Sequence, residues 1–256
     1  MQTKFSELTD YQWEVIKKYF CAHRPRIHAL RTIVNAILWV TRGGNQWRNL
    51  ESKYPPWESV YYYFNQWRKN GLLDQVLSDL VRRERNRQGT DPEPSTLAVD
   101  SQSVKGSNFL DSQTTGLDGG KKINGRKRHI AVDKFGLPLA IKVTPANVHD
   151  GEAGIELLPQ IEANTQRIKL IRADKSYGGT FKEIVTTYYK WEVETSQKPP
   201  SEKGFIPQEG RWQVERTFGW LNNFRRLTRD YEKIPQSHAT FMKIAFITII
   251  LNRLQP

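Results

Sequence analysis

Residues 95–105 read STLAVDSQSVK, and the aspartate at the centre of this run governs how the rest of the chain is interpreted. Leu97, Ala98 and Val99 form a short apolar block of the kind that builds an inner strand, and Asp100 interrupts it. A carboxylate on such a strand is strongly destabilising unless it takes several hydrogen bonds, pairs with a cation or holds a metal. Taken alone, Asp100 is explained well enough by either of the first two. The pattern recurs, however, in RIKLIRAD at 167–174, where a second apolar-rich run closes on Asp174.

Between and beyond these two runs the pattern is that of strands. RKRHIAVDKFG (126–136) and LPLAIKVTPANV (137–148) follow the first run, with Phe135-Gly136 and Leu137-Pro138 marking a turn, so three consecutive strands predict an antiparallel meander. GEAGIELLPQIEAN (151–164) reads as helix, RIKLIRAD as the fourth strand, TFKEIVTTYYKW (180–191) as helix and EVETSQK (192–198) as a short fifth strand. His149 and Asp150 sit at a strand-to-helix junction, where Asp150 is expected to cap the helix. From Arg211 the chain turns helical again, with Val214, Phe218 and Leu221 in one stripe. The segment 239–254 is expected to pack as a final buried helix, although its isoleucines and threonines suit a strand equally well.

Upstream, residues 1–85 carry helical signals only. Thr9 and Gln12 form a capping box ahead of Trp13, Ile16 and Phe20. Leu30, Ile33, Val34, Ile37 and Leu38 lie on one helical face that stops at Gly43-Gly44. Pro55-Pro56 opens a third helix, with Trp57, Val60, Tyr61 and Phe64 in a stripe and Asn70-Gly71 as its cap. Three short helices with tight turns fit a helix-turn-helix-like DNA-binding module or a bundle that supports the second domain. Arg68, Lys69, Arg82, Arg83, Arg85 and Arg87 favour the former. The polar, proline-bearing stretch ERNRQGTDPEP (84–94) reads as a linker. The expected organisation is a helical domain over 1–85, a linker over 86–94 and a catalytic domain over 95–256. The fold class is α/β, a mixed five-stranded sheet flanked by helices and preceded by the all-helical domain.

Composition narrows the partner. The 256 residues include 39 lysines and arginines against 27 acids, a net charge of +12, which attracts polyanions through counterion release. Cys21 is the single cysteine, which excludes an internal disulfide and a cysteine-based zinc finger and fits a reducing cytoplasm. The opening residues lack the apolar run of a signal peptide, and 241–251 is too short to span a bilayer, so a cytoplasmic, nucleoid-associated protein is expected.

Asp100 on the first strand, Asp174 on the fourth and Glu215 on a late helix match the order of acids in a ribonuclease-H-like nuclease core. Hard oxygen ligands of this kind suit Mg²⁺ or Mn²⁺, and two such ions can clamp a scissile phosphodiester. Almost end to end, the sequence resembles the bacterial DDE transposases of the insertion-sequence-five type. The likeness is carried by LTDYQWEVIKKYF (8–20), GGNQWRNL (43–50), VDSQSVKG (99–106), GKKINGRKRHIAVDKFGLPLAIKVTPANVHDG (120–151), IRADKSYGG (171–179) and RWQVERTFGWLNNFRRLTRDYE (211–232).

The resemblance implies that Asp100, Asp174 and Glu215 are the catalytic, metal-holding triad, with two Mg²⁺ or Mn²⁺ ions, and that Arg211 lies one helical turn before Glu215 on the same face. It also makes His149 a possible neighbour of the site. Gln208, Asn222 and Asn223 stand where the family often has tyrosine and basic residues, which shifts the expected DNA contacts there to Arg225 and Arg226. Lys175, directly after Asp174, is a further departure from the small residue common in the family. KKINGRKRH (121–129) groups Lys121, Lys122, Arg126, Lys127 and Arg128 around Gly125 as a candidate track for the DNA backbone, with Lys105 beside it; a solvated strand end is the alternative.

The implied activity is binding of the terminal inverted repeats of an insertion sequence, cleavage of the ends and transfer of the 3′-hydroxyls to target DNA by a homodimer or larger assembly. A structure-specific nuclease on the same fold and an inactive DNA-binding regulator are the rival readings.

Overall fold

The computed structural model describes residues 5–20, 27–195 and 212–255. The N-terminal part is helical as expected. Helix α1 (Asp10–Ile16) starts at the capping box, in which Thr9 accepts from the Gln12 amide and Gln12 returns a bond to Thr9. Helix α2 (Leu30–Gly43) stops where Gly44 takes a left-handed conformation at φ 75°. Helix α3 (Trp57–Lys69) buries Val60, Phe64 and Trp67, while Tyr61 of the expected stripe lies at the surface. Sequence periodicity predicted three helices; a fourth, α4 (Leu72–Arg87), follows the Asn70-Gly71 turn.

The sheet begins with β1 (Thr96–Lys105) and a three-residue strand β2 (Gly116–Asp118), then β3 (Ile123–Val132) and β4 (Pro138–Pro145). Helices α5 (Asp150–Ile155) and α6 (Leu158–Asn164) lead to β5 (Leu170–Ala173), and helix α7 (Thr180–Thr187) to β6 (Glu192–Thr195). Strand order is β2-β3-β1-β5-β6, with β4 also on β3. β1, β3 and β4 are antiparallel neighbours, whereas β5 runs parallel to β1 and β6 parallel to β5. The expected meander and mixed five-stranded sheet are therefore present. The addition is β2, which extends the same edge of β3 that β4 occupies and is too short to show a period-two pattern in sequence.

Alternation along the strands sorts the two faces. Leu97, Val99, Ile171 and Ala173 pack under α5, α6 and α7 with Tyr177 and Phe181. Ala98, Ile130 and Val132 turn to the other face, against helices α8 (Trp212–Leu221) and α9 (Pro235–Arg253). The ambiguous segment 241–251 is thus helix, and it is buried: one apolar cluster joins Phe241, Ile244, Ile247 and Leu251 of α9 to α2, α3, α4 and this face of the sheet.

The stretch expected to be a linker carries contacts instead. α4 extends to Arg87, and Arg85 forms a buried ion pair with Asp133 at the β3–β4 turn. Rather than standing apart, the N-terminal helices share a core with the sheet. Arg82, Arg85 and Arg87, which favoured a DNA-binding face, are bonded to Glu93, Asp133 and Glu84 respectively.

Candidate active site

Parallel pairing of β1 and β5 sets Thr96 opposite Leu170 and Ala98 opposite Arg172, a constant offset of 170 − 96 = 172 − 98 = 74 residues. Continued by two residues, that register carries Asp100 to Asp174. The β1–β5 ladder ends just before them, so the two carboxylates stand at the same level, Asp100 within β1, which runs on to Lys105 beside β3, and Asp174 directly after the end of β5. By alternation Asp100 shares the face of Ala98, the face that α8 covers.

Local hydrogen bonds orient both aspartates. Asp100 Oδ1 accepts the Ser101 amide at 2.7 Å. Asp174 directly follows β5 and caps a single turn of 3₁₀ helix, its Oδ1 accepting the Ser176 amide at 2.8 Å and the Ser176 hydroxyl as well. Both are half-buried.

Glu215 lies in the first turn of α8 and is exposed. The helix is held on the sheet by Val214, Phe218 and Leu221 and by Thr217, whose hydroxyl donates to the carbonyl of Gly136. Gly136 is in the left-handed region at φ 77°, and a Cβ there would run into Thr217 and Trp220, so glycine is what lets α8 dock on this turn. Two residues from Thr217, Glu215 lies on the opposite flank of the helix. Among the described residues no three His, Cys, Asp or Glu side chains stand together as a metal-binding group. The structure aligns Asp100 with Asp174, and places Glu215 on the helix covering their face without grouping it with them. In donor chemistry the two aligned carboxylates suit a hard divalent cation such as Mg²⁺ or Mn²⁺.

The basic segment does not have the structure expected of it. Arg126 is 1% exposed; it pairs with buried Asp230 at 2.9 Å and donates to Thr114 and to the carbonyls of Glu232 and Lys233. Arg128, 2% exposed, binds Gln102, Asn222 and the carbonyl of Leu227, and burial lowers its pKa to about 10. Lys127 is taken up by Asp150 and by the carbonyl of Val148. None of the three lies open to a DNA backbone, because alternation turns 126 and 128 to the face covered by α8 and the segment that follows it, and 127 to the opposite face. Gly125 is explained by packing too: a Cβ would collide with the main chain of Val104 and Lys105. Arg226, another expected DNA contact, is buried against Glu232 at 2.7 Å. Lys105, Lys121, Lys122, Lys175 and Arg225 remain exposed. Arg211 and Gln208 lie outside the described residues, as does Cys21.

The junction before α5 also differs from expectation. His149, not Asp150, caps the helix, its Nδ1 accepting the Gly151 amide at 3.2 Å. Asp150 instead bonds Ser101 on β1 at 2.9 Å and Lys127 at 3.0 Å. Burial opposes its charge, but the Lys127 and Ser101 bonds outweigh that and hold its pKa below the usual carboxylate value. The available sequence signal was a serine closely following each aspartate, Ser101 after Asp100 and Ser176 after Asp174.

A family model described as "Transposase DDE domain" matches residues 91–251, more than half of the chain. The protein belongs to the DDE-domain transposases. A second model, "Putative transposase of IS4/5 family", matches residues 8–77 of this transposase-family chain. Among curated proteins, it is 33% identical over 141 residues to the "Putative transposase for insertion sequence element IS402" of Burkholderia cepacia, covering 51% of the chain and 65% of that relative. It is 31% identical over 80 residues to "Uncharacterized protein y4sN" of Sinorhizobium fredii (strain NBRC 101917 / NGR234), covering 29% of the chain and 63% of the relative. The chain thus spans somewhat under two thirds of the length of these two relatives. Among its described residues no helix is long and apolar enough to cross a membrane.

Proposed function

We propose that this DDE-family protein binds the terminal inverted repeats of an insertion sequence, cleaves at the ends and transfers the freed 3′-hydroxyls to target DNA. The observation that carries the reading is the common level of Asp100 and Asp174 on adjacent parallel strands, facing the side covered by the helix that bears Glu215. In this proposal Asp100, Asp174 and Glu215 hold two Mg²⁺ or Mn²⁺ ions. When bound, such ions activate the attacking water or hydroxyl and stabilise the leaving oxygen of a phosphodiester.

The chain's own contribution is placement. The serine amides fix one oxygen of each aspartate. Phosphates are contacted by the exposed Lys105, Lys121, Lys122 and Arg225, and Arg211 is retained as a contact from the family resemblance. Recognition of the ends belongs to the N-terminal helices over 1–85, with 95–256 as the catalytic part. Because two ends must be held together, the working form is a homodimer or larger.

The test is a Mg²⁺ reaction on a labelled duplex ending in the element's own repeat, offered with an unlabelled target. A transposase converts label into products longer than the substrate. Cleavage without any joined product would instead indicate a nuclease on the same fold.

A further inference from the structure

Asp150 is not one of the three acids, yet its carboxylate reaches the chain beside two of them. Ser101 Oγ donates to Asp150 Oδ1 at 2.9 Å, and Ser176 Oγ lies 3.4 Å from Asp150 Oδ2. The same two serines hold the aspartates. The Ser101 amide bonds Asp100, and the Ser176 amide and hydroxyl both bond Asp174. Each serine therefore touches an aspartate and Asp150 together.

The location gives the arrangement its consequence. Main-chain pairing between β1 and β5 ends at Ala98 and Arg172, two residues short of the aspartates. Beyond that point the separation of β1 from the turn that follows β5 is set by other contacts, and Asp150 spans the two, from Ser101 on β1 to Ser176 in that turn. It is itself fixed: Lys127 Nζ lies 3.0 Å from Oδ1 and donates to the carbonyl of Val148 at 2.9 Å. Helix capping does not account for it, because His149 performs that role.

We propose that Asp150 is a positioning residue which, through Ser101 and Ser176, sets the separation of Asp100 and Asp174 and so tunes their hold on a divalent cation. The inference rests on the reading of those two aspartates as metal ligands. Partners that orient metal-binding carboxylates typically account for 10- to 100-fold in metal affinity.

Mn²⁺ binding to the full chain without DNA, followed by electron paramagnetic resonance, tests it. Asp150→Ala and Ser101→Ala are each expected to weaken Mn²⁺ binding by roughly 10-fold or more. The double variant should fall well short of the product of the two effects, because both break the same link. Ser101→Ala spares the Lys127–Asp150 ion pair and the amide that bonds Asp100, so it decides the question if Asp150→Ala does not fold. Wild-type Mn²⁺ affinity in a folded Asp150→Ala or Ser101→Ala, alongside loss of binding in Asp174→Ala, overturns the positioning role alone. Unchanged Mn²⁺ binding in Asp174→Ala overturns the metal-ligand reading and this inference with it.

Discussion

Asp100, within β1, stands level with Asp174, directly after β5, on the register that sets Ala98 opposite Arg172 in these adjacent parallel strands. Like charges placed side by side on neighbouring strands are destabilising. Asp174→Asn keeps an oxygen to accept the Ser176 bonds and removes one of the charges. In metal-free buffer this variant is therefore expected to melt at or slightly above the wild-type temperature. Mg²⁺ should raise the melting temperature of the wild type, because a cation bound to the folded state stabilises it, and should leave the variant unchanged. Calorimetry with and without Mg²⁺ checks both; a variant that melts lower without metal yet still responds to Mg²⁺ contradicts the arrangement.

Arg126 is a structural cation. Removing it in Arg126→Ala leaves Asp230, which is fully buried, with His238 at 3.1 Å but without its guanidinium partner, and breaking a buried pair costs up to about 3–5 kcal/mol. Urea denaturation should show that loss. The exposed Lys121 and Lys122 behave oppositely. If they contact phosphate, replacing both by alanine leaves stability within about 0.5 kcal/mol. It also flattens the plot of log binding constant against log salt by up to about 0.9 for each phosphate that is no longer neutralised. A steep salt plot in the double lysine variant would remove these residues from the DNA path.

The N-terminal helices and the sheet share one apolar cluster through α9, and Arg85 is paired with Asp133 across the two parts. A chain beginning at residue 95 would expose the α9 face that α2, α3 and α4 cover. Such a chain is expected to be insoluble or to lack a cooperative melt, whereas the full chain unfolds in a single transition. Independent cooperative folding of residues 95–256 would show that the shared core is not required.

Much of this architecture was legible in the sequence because its signals are local. The Thr9–Gln12 box, the Gly44 stop and the period-two runs around Asp100 and Ile130 each depend on a few neighbouring residues. What could not be read was whether a charged side chain faces water or protein. Arg126 and Arg128 look like a basic patch in sequence, and only the covering of that sheet face by α8 and the segment following it turns them inward, with Asp230 more than a hundred residues away. The register that aligns Asp100 with Asp174 was likewise hidden, because a parallel pairing across 74 residues leaves no local mark. Asp150 was misread for a related reason: a helix start is a local signal, and a bond back to β1 is not.

His129 is buried and bonded through Nε2 to Thr144 at 2.9 Å, and burial lowers its pKa to about 4. A histidine whose folded pKa lies below its unfolded value of about 6.5 favours the folded state fully above that value, and the contribution is lost as pH falls toward the folded pKa. The wild type is therefore expected to lose stability between about pH 6.5 and pH 4. His129→Gln, which cannot be protonated in this range, should show a shallower decline. Parallel curves for the two proteins would contradict the assignment.

Single-turnover cleavage and joining of a duplex ending in the element's own repeat, in Mg²⁺, by the wild type and by Asp100→Ala, Asp174→Ala and Glu215→Ala tests the three-acid site most directly. The expected result is cutting and joining by the wild type, a loss of at least a thousandfold (about 4 kcal/mol in barrier height) in each variant, and DNA binding retained throughout. A wild type that binds the end but never cuts it in Mg²⁺ or Mn²⁺, or a variant that cuts as fast as the wild type, would contradict it.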